Sequence, residues 1–285
     1  MRRRATFLGI LALAAAALGA ASCSPLRTFN ALVPKDAAGT VTRDLAYGDH
    51  PRQRLDVYAP PDATNAPVVV FVHGGSWATG DKAGYSWAGR ALASRGYLTI
   101  VPNYRLVPDG IYPAMAEDAA AAIAWAHANA ARLEGDPKRI AVAGHSAGAY
   151  NALMAAYATE FGASGLVRAV VSLAGPADFL PLDTQASRDA FGHLMGEALD
   201  ATQPVSRVRV GLPPTFIVHG TEDTTVRPRN ATVLAQALER AGVPHRLVLL
   251  DGVDHRGVVL GLSRPFRSRV PTLDTIDSFL TETLR

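Results

Sequence analysis

Six short runs, at residues 68–72, 98–101, 140–142, 169–173, 216–218 and 247–250, are apolar and β-branched with almost no polar alternation. A strand with one wet face alternates, so runs of this kind read as strands covered on both faces. Segments of helical composition separate them, at 85–94, 114–131, 149–158, 229–241 and 272–284. Strands buried on both sides and alternating with helices predict an α/β architecture, a mainly parallel twisted sheet with helices on both faces. In such a sheet ligands collect beyond the carboxyl ends of the strands, so the residues following each run carry the functional information.

Two further segments differ. Residues 41–48 and 54–59 alternate apolar and polar side chains and enclose the turn-forming 48–51, which predicts an antiparallel hairpin ahead of the parallel sheet. Residues 178–213 have no strong strand signal and only a modest helical pattern at 187–199. They read as an insertion above the sheet, either a small cap or a plain surface excursion.

The first 22 residues read as an export signal. Arg2, Arg3 and Arg4 precede an unbroken apolar run over 7–21, shorter than the ~20 residues that span a bilayer comfortably. The run ends in Ala20-Ala21-Ser22-Cys23, which resembles the lipobox of bacterial lipoproteins and implies lipidation of Cys23; ordinary signal-peptidase cleavage is the alternative. Cys23 is the only cysteine, so no intrachain disulfide can form. Residues 23–40 are expected to be a tether or irregular lead-in, and 41–285 one large domain. The expected location is export, with membrane attachment only through the lipid.

The formal charge of +3 comes from the leader. Without its three arginines, basic and acidic side chains balance at 25 each, which gives no electrostatic case for nucleic acid. The histidines are scattered and no HxH or HExxH string occurs, so neither a metal site nor a cofactor is expected.

After the run at 140–142 comes Gly144-His145-Ser146-Ala147-Gly148, directly before a helix. This places Ser146 on a sharp strand-to-helix turn as a candidate nucleophile, with the helix N-terminus and the Ala147 amide beside it. After 68–72 comes His73-Gly74-Gly75-Ser76-Trp77, where adjacent glycines can turn the amides of Gly74 or Gly75 toward an oxyanion. His73 is expected to brace this loop, and Trp77 to line the substrate pocket. After 216–218 come Glu222 and Asp223, both chemically suited to orient a histidine; the shorter Asp223 is the choice, with Glu222 exposed and His219 packed as structure. After 247–250 comes the loop bearing His255, the expected general base, with Asp254 free to pair instead with Arg256 as surface charges. His145 neighbours the serine but cannot fold back onto it.

With HGGSW at 73–77, Asn103-Tyr104-Arg105-Leu106, GHSAGA at 144–149, HGTEDTTV at 219–226 and the final histidine, the chain from about 41 onward resembles α/β-hydrolase esterases and lipases. The likeness takes in hormone-sensitive-lipase-like esterases, bacterial acyl esterases and arylformamidases. It implies the order Ser146, Asp223, His255, a structural Asp118, and hydrolysis of a small-molecule ester. Amide cleavage of the arylformamidase kind and a non-catalytic binding protein on the same scaffold are the alternative readings.

Overall fold

The computed structural model describes residues 25–62 and 64–284; the leader at 1–22 and Cys23 lie outside the described residues. Among those described, the strands are β1 (Val41–Ala46), β2 (Arg54–Tyr58), β3 (Ala66–Val72), β4 (Leu98–Pro102), β5 (Gly135–His145), β6 (Val167–Leu173), β7 (Thr215–Gly220) and β8 (His245–Leu250). They form one sheet in the order β1-β2-β4-β3-β5-β6-β7-β8. The β1–β2 hairpin and the β2–β4 pair are antiparallel, and every other pairing is parallel. This is the expected α/β arrangement with the hairpin at one edge.

The helices are α1 (Pro25–Leu32), α2 (Ser86–Ala93), α3 (Ala114–Asn129), α4 (Ala147–Tyr157), α5 (Gln185–Phe191), α6 (Gly196–Asp200), α7 (Arg229–Arg240), α8 (His255–Leu260) and α9 (Thr272–Thr283). Strand periodicity sorts them into two layers. Val68, Val70, Val72, Val142, Val170 and Ile217 face one way, into a core with α3, α4 and α7. Val69, Phe71, Ala141, Ala143, Val171, Phe216 and Val218 face the other way, into a core with α2, α8 and α9. In-register pairing puts Val70 opposite both Ile100 and Val142, so each layer is a continuous apolar floor. Every residue of α4 is buried, and its alanines let it lie close to the sheet beneath.

Two features depart from the sequence reading, and one alternative it left open is decided. β8 is an edge strand: within its apolar run only Leu250 is buried, and Leu249 is 43% exposed. A run without polar residues is therefore half-covered here, because among the described residues no strand pairs with its outer side. Residues 25–32 of the lead-in form a docked helix rather than a tether. Phe29 packs edge-on against Trp87 at 5.4 Å, and Asn30 receives the Ser86 hydroxyl at 2.7 Å. The insertion at 178–213 folds as α5, α6 and a short 3₁₀ turn (Pro204–Arg207), with Phe191 and Leu212 in the core. Gln203 Oε1 accepts the Phe179 amide at 2.9 Å, tying the two ends of the insertion together.

Candidate active site

Ser146 is the one residue between β5 and α4, with φ 56° and ψ −126°. A non-glycine residue in this region costs about 1–3 kcal/mol and persists only where its surroundings enforce it. Here the enforcement is steric. A Cβ on Gly148 would lie 2.2 Å from the Val72 carbonyl oxygen and 2.4 Å from that of His73, and a Cβ on Gly144 would lie 2.3 Å from the Gly148 carbonyl oxygen. Both glycines let the turn close on β3, as the pentapeptide predicts.

The structure brings Ser146, His255 and Asp223 together although they lie far apart in the chain. Ser146 Oγ is 2.9 Å from His255 Nε2, and His255 Nδ1 is 2.7 Å from Asp223 Oδ2. The other Asp223 oxygen accepts the amides of Thr225 at 2.9 Å and Val226 at 2.8 Å. Burial alone would raise the carboxyl's pKa, but hydrogen bonds from His219, His255 and the Val226 amide outweigh it and hold the group well below the usual carboxylate range. Asp223 is thus an anion aimed at the imidazole. Glu222 is exposed, as expected.

His255 opens α8, and Asp254 caps that helix by accepting the Gly257 amide at 2.7 Å. Asp254 is therefore a capping residue rather than the partner of Arg256, and it fixes where the loop ends and His255 begins.

The loop after β3 lies against the serine turn. A Cβ on Gly74 would lie 3.2 Å from Ser146 Cβ, and Gly75 has φ 136°. Among the described residues, the N–H groups of Gly75 and Ala147 have no acceptor. His73 is fully buried between the rings of Tyr104 and Tyr85, at 4.7 and 5.7 Å, with Nδ1 2.8 Å from the Gly74 carbonyl oxygen. Burial pushes its pKa down to about 4, so it braces the loop as a neutral ring. Below it, Asn103 accepts the Lys82 amide at 2.6 Å and donates to Asp81 at 3.1 Å. Asp118 is buried and takes Arg105 through two nitrogens, at 3.0 and 2.7 Å, as its implied structural role requires.

A cavity of about 420 Å³ opens over Ser146. Ser76, Trp77 and Ala147 form one side, Thr224 to Arg227 another, and the insertion supplies Phe179, Leu180, Pro181 and Thr184. Trp77 meets the cavity, yet its ring is mostly enclosed by Tyr150, Phe179 and Phe191, and its Nε1 donates to Asn151 at 3.2 Å. The insertion is thus a wall of the site and not a detached excursion. Trp87 lies on the other side of the sheet, and Trp125 packs half-buried at the rim of the first core.

Two histidines at the site exceed their expected roles. His219 Nε2 is 2.7 Å from the Val226 carbonyl oxygen and 3.2 Å from Asp223 Oδ2, so it steadies the Asp223 loop. His145 Nε2 is 3.0 Å from the His255 carbonyl oxygen. The spacing from 219 to 223 is a local signal that could have identified the first contact. The second spans 110 positions and has no local signature.

The chain is 32% identical over 246 residues to "Probable isoprenylcysteine alpha-carbonyl methylesterase ICMEL1" of Oryza sativa subsp. japonica, covering 77% of this chain and 58% of that protein. It is 31% identical over 266 residues to "Esterase LipC" of Mycobacterium tuberculosis, covering 80% and 66%. The chain thus spans a little over half to two thirds of the length of these curated relatives. Among solved structures, the thermostable carboxylesterase EstE1 from a metagenomic library superposes with a TM-score of 0.78 at 23% identity, over 91% of this chain and 94% of that one, a likeness of the α/β-hydrolase fold. The BD-FAE family model matches residues 55–238, which carry the Gly74-Gly75 loop, the Ser146 turn and Asp223. On that match over most of the sheet and its strand-end loops, the chain belongs to the BD-FAE family.

Proposed function

We propose that this protein hydrolyses carboxylic esters of small to medium size through an acyl-enzyme formed on Ser146. The observation that carries this reading is the continuous hydrogen-bonded line from Ser146 Oγ, which lines the cavity, through His255 to the ionised Asp223. Ser146 Oγ attacks the acyl carbon while His255 Nε2 takes its proton. The same proton passes to the departing alkoxide, and the alcohol leaves. A water molecule then attacks the acyl-serine, again losing its proton to His255, and the acid is released with Ser146 restored. Asp223 holds the imidazole in the Nδ1–H tautomer and stabilises its protonated form. The amides of Gly74 or Gly75 and of Ala147 receive the negative charge that develops on the carbonyl oxygen. The esterase names of the relatives and the 420 Å³ cavity, within the ordinary range for small-molecule sites, support this substrate class.

We further infer from the leader and from Cys23 that the mature protein is exported and lipid-anchored. The ester reading is tested with Ser146→Ala and a short p-nitrophenyl ester. Hydrolysis is expected to fall by at least about a thousandfold with the fold intact; near-wild-type turnover would remove Ser146 from the mechanism.

A further inference from the structure

His145 is a buried titratable group to which the proposed reaction gives no part. It is 5% exposed and directly precedes the nucleophile. Its Nε2 meets the main-chain carbonyl of His255 at 3.0 Å, and the two rings, tilted 41° to each other, have centroids 4.8 Å apart. A carbonyl oxygen only accepts, so Nε2 carries the ring proton and Nδ1 keeps its lone pair. Nδ1 is buried with no hydrogen-bond partner among the described residues. It lies against Gly74, where a Cβ would stand 3.1 Å away.

We propose that His145 is a positioning residue that fixes where His255 stands, resting on the reading of His255 as the general base. Three parts of the site meet at this one ring. The turn bearing Ser146 holds it, the first residue of α8 accepts its N–H, and the Gly74 loop closes over its other nitrogen. The Asp254 cap sets the start of α8, and Asp223 sets the outer side of the His255 imidazole. His145 is what ties the His255 main chain to the serine turn, so that Nε2 and Oγ stay in register.

The ring also has to remain uncharged for this task. The ionisable groups facing it are His255 from α8, His219 from β7 and Asp223 from the loop that follows β7. A second proton on Nδ1 would have neither an acceptor nor solvent, and burial with the neighbouring His255 pushes the pKa down to about 3. His145 therefore stays neutral while His255 cycles between its two forms. A cation at 145 would oppose the imidazolium that forms beside it.

Comparison of His145→Gln with His145→Asn tests this. Both are polar, but only Gln reaches far enough to donate to the His255 carbonyl. With p-nitrophenyl acetate, and active sites counted by a fluorophosphonate probe, His145→Asn is expected to lower kcat about 10- to 100-fold with KM changed less than about threefold. His145→Gln should recover kcat to within about threefold of wild type. Equal kcat for the two variants, whether both fast or both slow, would overturn the proposal. So would a Gln variant that fails to fold, since that would assign the ring to packing. The underlying assignment of His255 is checked separately: His255→Ala with full turnover would remove the general base itself, whatever the variants at 145 show.

Discussion

The Nε2 atom of His219 lies 3.2 Å from Oδ2 of Asp223, the same oxygen that meets His255 Nδ1 at 2.7 Å. One strand-end histidine and the first residue of α8 thus converge on a single carboxylate, while its second oxygen is occupied by backbone amides. Charge, tautomer and loop conformation are all set at Asp223, and its replacement should separate catalysis from folding.

Asp223→Asn keeps the shape but loses the anion. It should lower kcat by about 10³- to 10⁴-fold with KM nearly unchanged, measured by steady-state kinetics on a short ester. Because folding depresses the carboxyl's pKa, the ion contributes stability above the unfolded value of about 3.9, and this is lost as pH falls through the lower folded value. Urea unfolding should therefore show the wild type's advantage over Asp223→Asn at pH 6 and its shrinkage below about pH 4.

His73 titrates near 4 in the folded protein against about 6.5 in an unfolded chain. The unfolded state binds the extra proton between these values, so stability falls as pH drops through that window, by about 1.4 kcal/mol per pH unit once the unfolded histidine is protonated. His73→Phe keeps a ring between Tyr85 and Tyr104 and removes the titration. Its unfolding free energy should decline less steeply than wild type from pH 6.5 to 4; parallel curves would contradict the assignment.

Gly148→Ala drives a methyl group into the carbonyl oxygens of Val72 and His73. Neither belongs to a flexible side chain, so relief requires moving α4 off β3. Expected are a stability loss of about 2–4 kcal/mol and a fall in activity of about 100-fold or more, from denaturant titration and ester turnover.

Asp118→Asn places an amide NH₂ where Arg105 and Gln53 both donate. The buried mismatch should cost about 2–4 kcal/mol of stability. Asp118 touches neither the cavity nor the reacting groups, so kcat per active site should stay within about twofold. A kcat loss as deep as that of Asp223→Asn would show that this pair reaches the chemistry.

The glycines at 144 and 148 were legible because a turn that brings Ser146 out between β5 and α4 excludes side chains at fixed offsets, and a fixed offset is a property of sequence. Asp223 and His255 were legible because each follows a strand run within a few residues. Asp254 was not legible: an exposed acid before an arginine has the same composition as a surface pair, and only the Gly257 amide beside it identifies a cap. β8 was misread because composition cannot reveal whether a further strand pairs with its outer side.

The sequence alone determined the strand–helix alternation, the serine turn and the order in which Ser146, Asp223 and His255 appear, all consequences of local periodicity and local steric limits. The tertiary structure decided the rest. It brought helix α1 onto Trp87, folded 178–213 into a wall over Ser146, and joined His145 to the carbonyl of His255. Those contacts link segments tens to more than a hundred residues apart, and such contacts form only where packing brings two surfaces together, which no local pattern encodes.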